Sequence, residues 1–258
     1  MNSHLEDHPH RRFNILTEEW VLVSPHRTKR PWQGKKDKPQ QIPQVNYDAN
    51  CYLCPGNERA GGAKNPNYTG TFSFKNDYAA LLENPHNTVN EGLLQAESES
   101  GICKVICYSP NHNLTLPLME VNAIVDVITL WQKEYSELGS KTDINHVQIF
   151  ENKGAIMGCS NPHPHGQVWA QRSIPQEVQK KNTQQKSYWD KNKRTLLGDY
   201  LQQELNAKER IVLENETFVV LVPYWAVWPF EVMIVPKRHI TSILELSQQE
   251  VADYASIL

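Results

Sequence analysis

Residues 161–169 read Asn161-Pro162-His163-Pro164-His165-Gly166-Gln167-Val168-Trp169. On an extended chain, alternate side chains share a face. His163, His165 and Gln167 therefore line one side, with the rigid Pro164 and the small Gly166 between them. Two imidazoles and a carboxamide make a poor core and a good reaction surface, although a solvated polar strand edge carries the same pattern. A neutral imidazole attacks phosphorus without first losing a proton at physiological pH. One ring nitrogen must then donate to a fixed acceptor so that the other keeps its lone pair. The expected acceptor is a backbone carbonyl of the turn over 152–160. The Gln167 carboxamide can donate to a phosphoryl oxygen as charge develops there, but it cannot readily supply a proton to a departing alcohol.

Outward from this stretch, His146–Phe150 and Gly166–Ala170 read as strands joined by the turn-rich ENKGAIMGCSNP. Ile102–Tyr108, ICKVICY, is an apolar β-branched run and reads as a buried strand ended by Ser109-Pro110. Pro117–Leu138 carries Val121, Ile124, Val125, Ile128, Trp131 and Tyr135 at helical spacing, with proline at the start. A strand over Gly70–Phe74 runs into the turn-like Asn76-Asp77, and a β-rich stretch over Glu19–Ser24 feeds a basic turn of His26, Arg27, Lys29 and Arg30. Residues 1–12 read as a mobile tail and 33–50 as an exposed connection rich in Pro, Lys and Gln. Downstream, 176–210 reads as helices with the stripe Leu197, Tyr200, Leu201, Leu205, followed by strands at Phe218–Val222 and Val232–Val235 and a helix from Leu246.

A short internal repeat runs through this layout. A strand, then SPNH ending at His112, then NLTLPL and a helix, is echoed by VMIV, then PKRH ending at His239, then ITSILEL and a helix. The expected organisation is one unit over 1–178 and a second over 179–258. The second stops before any counterpart of the strand bearing His163 and His165, so the chain reads as a C-terminally incomplete version of a longer protein.

The chain has 258 residues, 39% hydrophobic and 21% charged, with 26 basic and 29 acidic side chains and a net charge of −3. It is globular in composition and lacks the basic excess of a general nucleic-acid binder. No apolar run approaches the roughly 18 residues that span a bilayer. The polar N-terminus has no apolar core of a secretory signal. With five cysteines and no such signal, reduced thiols or a metal site are expected over disulfides, in a cytoplasmic setting.

Cys51-x-x-Cys54 is half of a zinc site, or else two buried thiols. His112 and His163 are candidate partners, and a metal on His163 would brace the strand that carries His165. Cys103, Cys107 and Cys159 read as buried free thiols. Arg27 and Arg30 offer guanidinium forks suited to a diphosphate, or a solvated charge cluster. Asn76 and Asp77 can hold a ribose or base edge, or simply turn the chain.

Together, FNILTEEWVLVSPHRTKRPWQG, CYLCPGN, KNPNYTGTFSFKNDYAAL, SPNHNLTL, FENKGAIMGCSNPHPHGQVWA and VPYWAVWPFE resemble the galactose-1-phosphate uridylyltransferase family, a branch of the histidine-triad superfamily. The resemblance runs from about Phe13 to the end of the chain. It implies an α+β fold of two related half-barrel units around a mixed, mostly antiparallel sheet with flanking helices. It implies exchange of UMP between UDP-glucose and galactose 1-phosphate, in two displacements through a uridylyl-histidine. His165 takes the nucleophile's place, and Gln167 stands where the hydrolase branches carry a third histidine. Ser160 and Asn152 would contact phosphates, and Arg27, Arg30, Asn76 and Asp77 would hold the nucleotide. Cys51, Cys54, His112 and His163 match the family's zinc ligands. A second, iron-type site is not expected, because Lys181 occupies the aligned glutamate position, with Glu177 nearby, and the C-terminal histidines are absent. The family implies a homodimer at full length; the charge balance and the lack of a long apolar run lead us to expect no nucleic-acid or membrane partner. Alternatives are a nucleotide-sugar phosphorylase or dinucleotide hydrolase on the same scaffold, and a non-catalytic, zinc-stabilised nucleotide-binding fragment.

Overall fold

The computed structural model describes Leu5 and residues 7–31, 45–84 and 89–258. In chain order its first half holds β1 (His10–Asn14), β2 (Glu19–Val23), β3 (Phe72–Lys75), β4 (Val89–Glu91), β5 (Leu94–Ala96), β6 (Gly101–Cys107), α1 (Val121–Gly139), β7 (His146–Phe150) and β8 (His165–Gln171). There follow α2 (Gln176–Asn192), α3 (Leu196–Ala207), β9 (Ile211–Glu214), β10 (Phe218–Leu221), β11 (Met233–Pro236) and α4 (Gln248–Ile257). The fold is α+β. Every strand pairing among the described residues is antiparallel, which corrects the mixed sheet expected from sequence. The reason is visible in the order β3-β6-β8-β7. The crossover through α1 sets β7 parallel to β6, but β8 inserts between them and pairs antiparallel with both.

The chain forms two compact units. One comprises Met1–Ile42, Gln176–Thr241 and Ile257, the other Pro43–Pro175, Ser242–Ser256 and Leu258. The sequence division at 178/179 falls inside the first turn of α2. In the first unit, β1 and β2 pair in register from His10 opposite Val23 to Asn14 opposite Glu19. His10, Arg11 and Arg12 are therefore strand and not tail. Their polar side chains hid the strand from a hydrophobicity reading, yet the Arg12 guanidinium stacks 4.7 Å from the Tyr224 ring. The core joins Leu16, Leu196, Tyr200, Leu201, Val219, Leu221, Trp225 and Val235, where α3 meets the sheet β11-β10-β9. Under it lies a buried ion pair, Arg210 Nη2 to Glu204 Oε2 at 2.8 Å.

In the second unit the four-stranded sheet separates two environments. Ile106, Val168 and Ala170 are fully buried on the face covered by α1, whose Val127 and Ile128 are also fully buried. The opposite face carries three cross-strand rows. The first is Phe72, Cys107 and His165, the second Phe74, Val105, Gln167 and Phe150, the third Cys103, Trp169 and Gln148. Glycine at 166 is required by close packing: a Cβ there would lie 2.5 Å from the Tyr108 hydroxyl and 3.1 Å from the Phe150 carbonyl oxygen. The helix expected from Pro117 begins at Val121. Pro117 instead lies in a 3-10 turn, Leu116–Leu118, closed by Met119 N–H to the Leu116 carbonyl. The hairpin β4–β5 and strand β9 were not anticipated: these strands are three or four residues long, β5 is exposed, and in β9 only Ile211 is even half-buried. Residues 33–44 of the expected connection lie outside the described residues. Among the described residues, no helix is long and apolar enough to cross a membrane.

Candidate active site and metal centre

Cys51 and Cys54 sit on a tight turn in which Cys54 N–H donates to the Cys51 carbonyl at 3.2 Å and Asn57 N–H to the Cys54 carbonyl at 3.3 Å. Two asparagine amides and a phenol add further donors to the carbonyls of this turn and supply those of Tyr52 and Leu53. Asn57 Nδ2 donates to the carbonyls of Asp48 (2.9 Å) and Cys51 (2.8 Å). Asn65 Nδ2 donates to those of Tyr52 (2.9 Å) and Cys54 (3.0 Å). The Tyr68 hydroxyl donates to Leu53 at 2.6 Å. The turn is thus shaped by its own side chains.

The two thiols, with His112 and His163, bring four ligand atoms within 4.8 Å of one another, all four residues buried. Cys54 Sγ lies 3.5 Å from Nδ1 of both histidines, and Cys51 Sγ 3.9 Å from His163 Nδ1. This Cys2His2 group can hold a metal ion. Its outer contacts are those of a metal ligand set: His163 Nε2–H donates to the Ser109 carbonyl at 2.9 Å, which leaves Nδ1 to face the sulfurs. Asn161 Nδ2 lies 3.5 Å from Cys51 Sγ, while Asn161 Oδ1 accepts His163 N–H at 2.9 Å. Burial pushes the His163 imidazole down to about 4, so it stays neutral.

Two residues on, the strand begins. His165 Nδ1–H donates to the His163 carbonyl at 2.7 Å. The acceptor is therefore this carbonyl and not one from 152–160, because the tight step through Pro164 folds it back onto the ring. Nε2 is left without a partner among the described protein groups. Burial lowers the His165 pKa from the ordinary histidine value, with the hydrogen bond to His163 opposing it. His165, Gln167, Ser160, Asn76 and Asp77 all line one cavity of about 330 Å3, floored by Leu53, Phe74 and Val105. Asn152 lies in the β7–β8 loop and is not among the residues lining that cavity. Arg27 sits in the 3-10 turn Pro25–Lys29 and Arg30 at its C-cap, both exposed and both in the other compact unit.

Sequence reasoning missed two neighbours of the site. The Arg59 guanidinium lies 4.0 Å over the Phe74 ring, and its Nε is 3.2 Å from Asp77 Oδ2. Trp169 Nε1–H donates to Gln167 Oε1 at 3.2 Å. The period-2 pattern that put His165 and Gln167 on one face also puts Trp169 there, so that residue was open to inference; Arg59, reached through a loop, was not. Cys103 and Cys107 are buried free thiols, as expected. Cys159 is only half-buried, because its Sγ turns to donate to the Asn161 carbonyl at 3.0 Å on the loop surface.

The chain matches two family models, the galactose-1-phosphate uridyl transferase N-terminal domain over residues 1–175 and its C-terminal domain over 180–258. It is 49% identical to a galactose-1-phosphate uridylyltransferase of Haemophilus influenzae, an alignment covering 98% of this chain and 72% of that one. It is 47% identical to the protein of the same name from Saccharomyces cerevisiae, over 97% of this chain and 72% of that one. A solved structure titled as a uridylyltransferase superposes with a TM-score of 0.73 at 26% identity, over 96% of this chain and 72% of that one. An ADP-glucose phosphorylase from Arabidopsis thaliana with bound ADP-glucose gives 0.71 at 25% identity, over 96% and 74%.

Proposed function

The chain belongs to the galactose-1-phosphate uridyl transferase family, and on that premise we propose that it exchanges UMP between UDP-glucose and galactose 1-phosphate, with His165 as the nucleophile. Nε2 attacks the α-phosphorus of UDP-glucose. The bond to the bridging oxygen breaks, and glucose 1-phosphate leaves with the electron pair. An oxygen of galactose 1-phosphate then attacks the uridylyl-histidine, and Nε2 recovers its lone pair. Both leaving groups depart as stable ions or neutral imidazole and need no proton. A glutamine therefore suffices at 167, where a departing alcohol would call for a general acid. Gln167 and Ser160 meet the phosphoryl oxygens, Asn152 the phosphates, Asn76 and Asp77 the nucleoside, and Arg27 and Arg30 the diphosphate.

The observation that carries this reading is the 2.7 Å hydrogen bond from His165 Nδ1 to the His163 carbonyl, in a cavity shared with Gln167. It supports a lone pair fixed on Nε2 before substrate arrives. The test is to incubate the chain with UDP-glucose labelled at the α-phosphorus and quench in alkali. Label on His165 that persists until galactose 1-phosphate is added is the expected result. Prompt release of free UMP, or label on another residue, would overturn it.

The similarity to an ADP-glucose phosphorylase favours one second reading, a nucleotide-sugar phosphorylase. It predicts that inorganic phosphate discharges the intermediate faster than galactose 1-phosphate does.

Zinc is the metal proposed for Cys51, Cys54, His112 and His163. A tetrahedral ion with Zn–S of roughly 2.3 Å and Zn–N of roughly 2.05 Å has S···N edges of roughly 3.5 Å, close to the 3.5, 3.5 and 3.9 Å separations here. The ion would stiffen the strand entry and take no part in bond making. Histidine-triad-like half-barrel units over 1–178 and 179–258 are supported by recurrent order: β6, a 3-10 turn and α1 are echoed by β11, a 3-10 turn (Ile243–Glu245) and α4. Five unpaired cysteines support a reducing, cytoplasmic setting. A homodimer follows from the family alone and is checked by light scattering.

A further inference from the structure

A primary carboxamide has two nearly isosteric orientations, and only one of them presents its NH2 to an anion. Nothing in the Gln167 side chain selects between them. The selection comes from two residues along β8. Trp169 shares the face of Gln167, opposite Cys103 and Gln148, and its Nε1–H donates to Gln167 Oε1 at 3.2 Å. An indole N–H is a donor only, so it can be satisfied by the amide oxygen and never by the amide nitrogen. The indole is itself held: the Phe150 ring meets it edge-on, 5.6 Å between centroids at 80°. Phe150 lies directly opposite Gln167 in the β7–β8 register, which closes the triangle. Gln167 lines the cavity and Trp169 does not.

We infer that Trp169 is a positioning residue, which locks the carboxamide of Gln167 with its oxygen turned back and its NH2 turned toward the transferring phosphoryl group. This rests on the uridylyl-transfer reading of the same cavity. Without the indole N–H, the amide samples the orientation that sets its oxygen against phosphoryl oxygens. Charge on those oxygens grows in the transition state, so the loss falls on kcat more than on KM.

The test compares the unaltered chain, Trp169→Phe, Gln167→Ala and the double variant in the release of glucose 1-phosphate from UDP-glucose. Phenylalanine keeps a ring against Phe150 and removes the N–H. Trp169→Phe should lower kcat about five- to tenfold, the effect of one mis-set hydrogen bond, with KM for both substrates within about twofold. In the Gln167→Ala background the same change should cost nothing further. An equal loss in both backgrounds, or none in the unaltered one, would overturn the assignment. A second readout does not depend on Trp169→Phe folding. In 15N-labelled chain, Gln167→Ala should move the Trp169 indole N–H resonance and speed its exchange with solvent, and an unmoved resonance would also overturn it. If the unaltered chain turns over no UDP-glucose, the transfer reading fails, and the indole resonance then decides the contact independently.

Discussion

The carbonyl oxygen of His163 lies 2.7 Å from Nδ1 of His165, while the ring of the same His163 faces the sulfurs of Cys51 and Cys54. One residue thus offers its side chain to the candidate metal site and its backbone to the proposed nucleophile. Displacing the ring displaces the carbonyl.

Cys54→Ser should therefore lower bound metal well below one equivalent, lower the melting temperature and cut uridylyl transfer at least about tenfold, since tightly placed catalytic groups lose about that much when their support loosens. Metal analysis, calorimetry and single-turnover kinetics on one preparation check all three. A variant that loses the metal and keeps full activity would break the proposed link.

His165→Ala should abolish the labelled intermediate and reduce turnover by about 10^3-fold or more, as expected when a covalent nucleophile is removed. Titration calorimetry should still find UDP-glucose binding, because the rest of the cavity wall stays in place. A non-catalytic nucleotide-binding module would show the same binding with no turnover in the unaltered chain.

Gly166→Ala should destabilise the fold by about 1–3 kcal/mol, the usual cost of overpacking a tight site. The added methyl would meet the Tyr108 hydroxyl and the Phe150 backbone oxygen. Denaturant unfolding measures this, with the midpoint falling at constant slope.

Arg59→Gln should raise KM for UDP-glucose about fivefold with kcat nearly unchanged, the worth of roughly one part-buried contact. The guanidinium is only 13% exposed and steadies both Asp77 and the Phe74 ring. Initial-rate kinetics varying each substrate in turn check it, and KM for galactose 1-phosphate should not move.

Arg210→Met should cost about 3–5 kcal/mol, because it strands a buried carboxylate without its partner. Glu204 is 2% exposed and accepts from both Nε and Nη2 of Arg210. Changing Glu204→Met as well should recover most of the loss. Equal unfolding midpoints for the single and double variants would contradict this.

The strands and helices that carry dense apolar residues were legible in sequence: β6 from ICKVICY, α1 from its stripe and α3 from Leu197, Tyr200, Leu201 and Leu205, while α2, which buries no residue, was read as helix from its Gln-, Lys- and Glu-rich composition. The shared face of His165 and Gln167 was legible from alternation alone. What stayed hidden depended on partners distant in sequence. The strand at His10–Arg12 is polar and acquires meaning only opposite Val21–Val23. The acceptor for His165 turned on how Pro164 folds back, which spacing does not express. Arg59 meets Asp77 across 18 residues and a loop, and no local pattern foretells that contact.

His165, Gln167 and Trp169 alternate with Gly166, Val168 and Ala170, and the two sets serve opposite surfaces. Inserting or deleting a single residue between His165 and Trp169 would put the side chains before it out of phase with those after it, parting imidazole from amide or amide from indole across the two surfaces. Lineages descending from this chain can therefore respell the segment but cannot change its length, and indels should accumulate in the flanking loops instead.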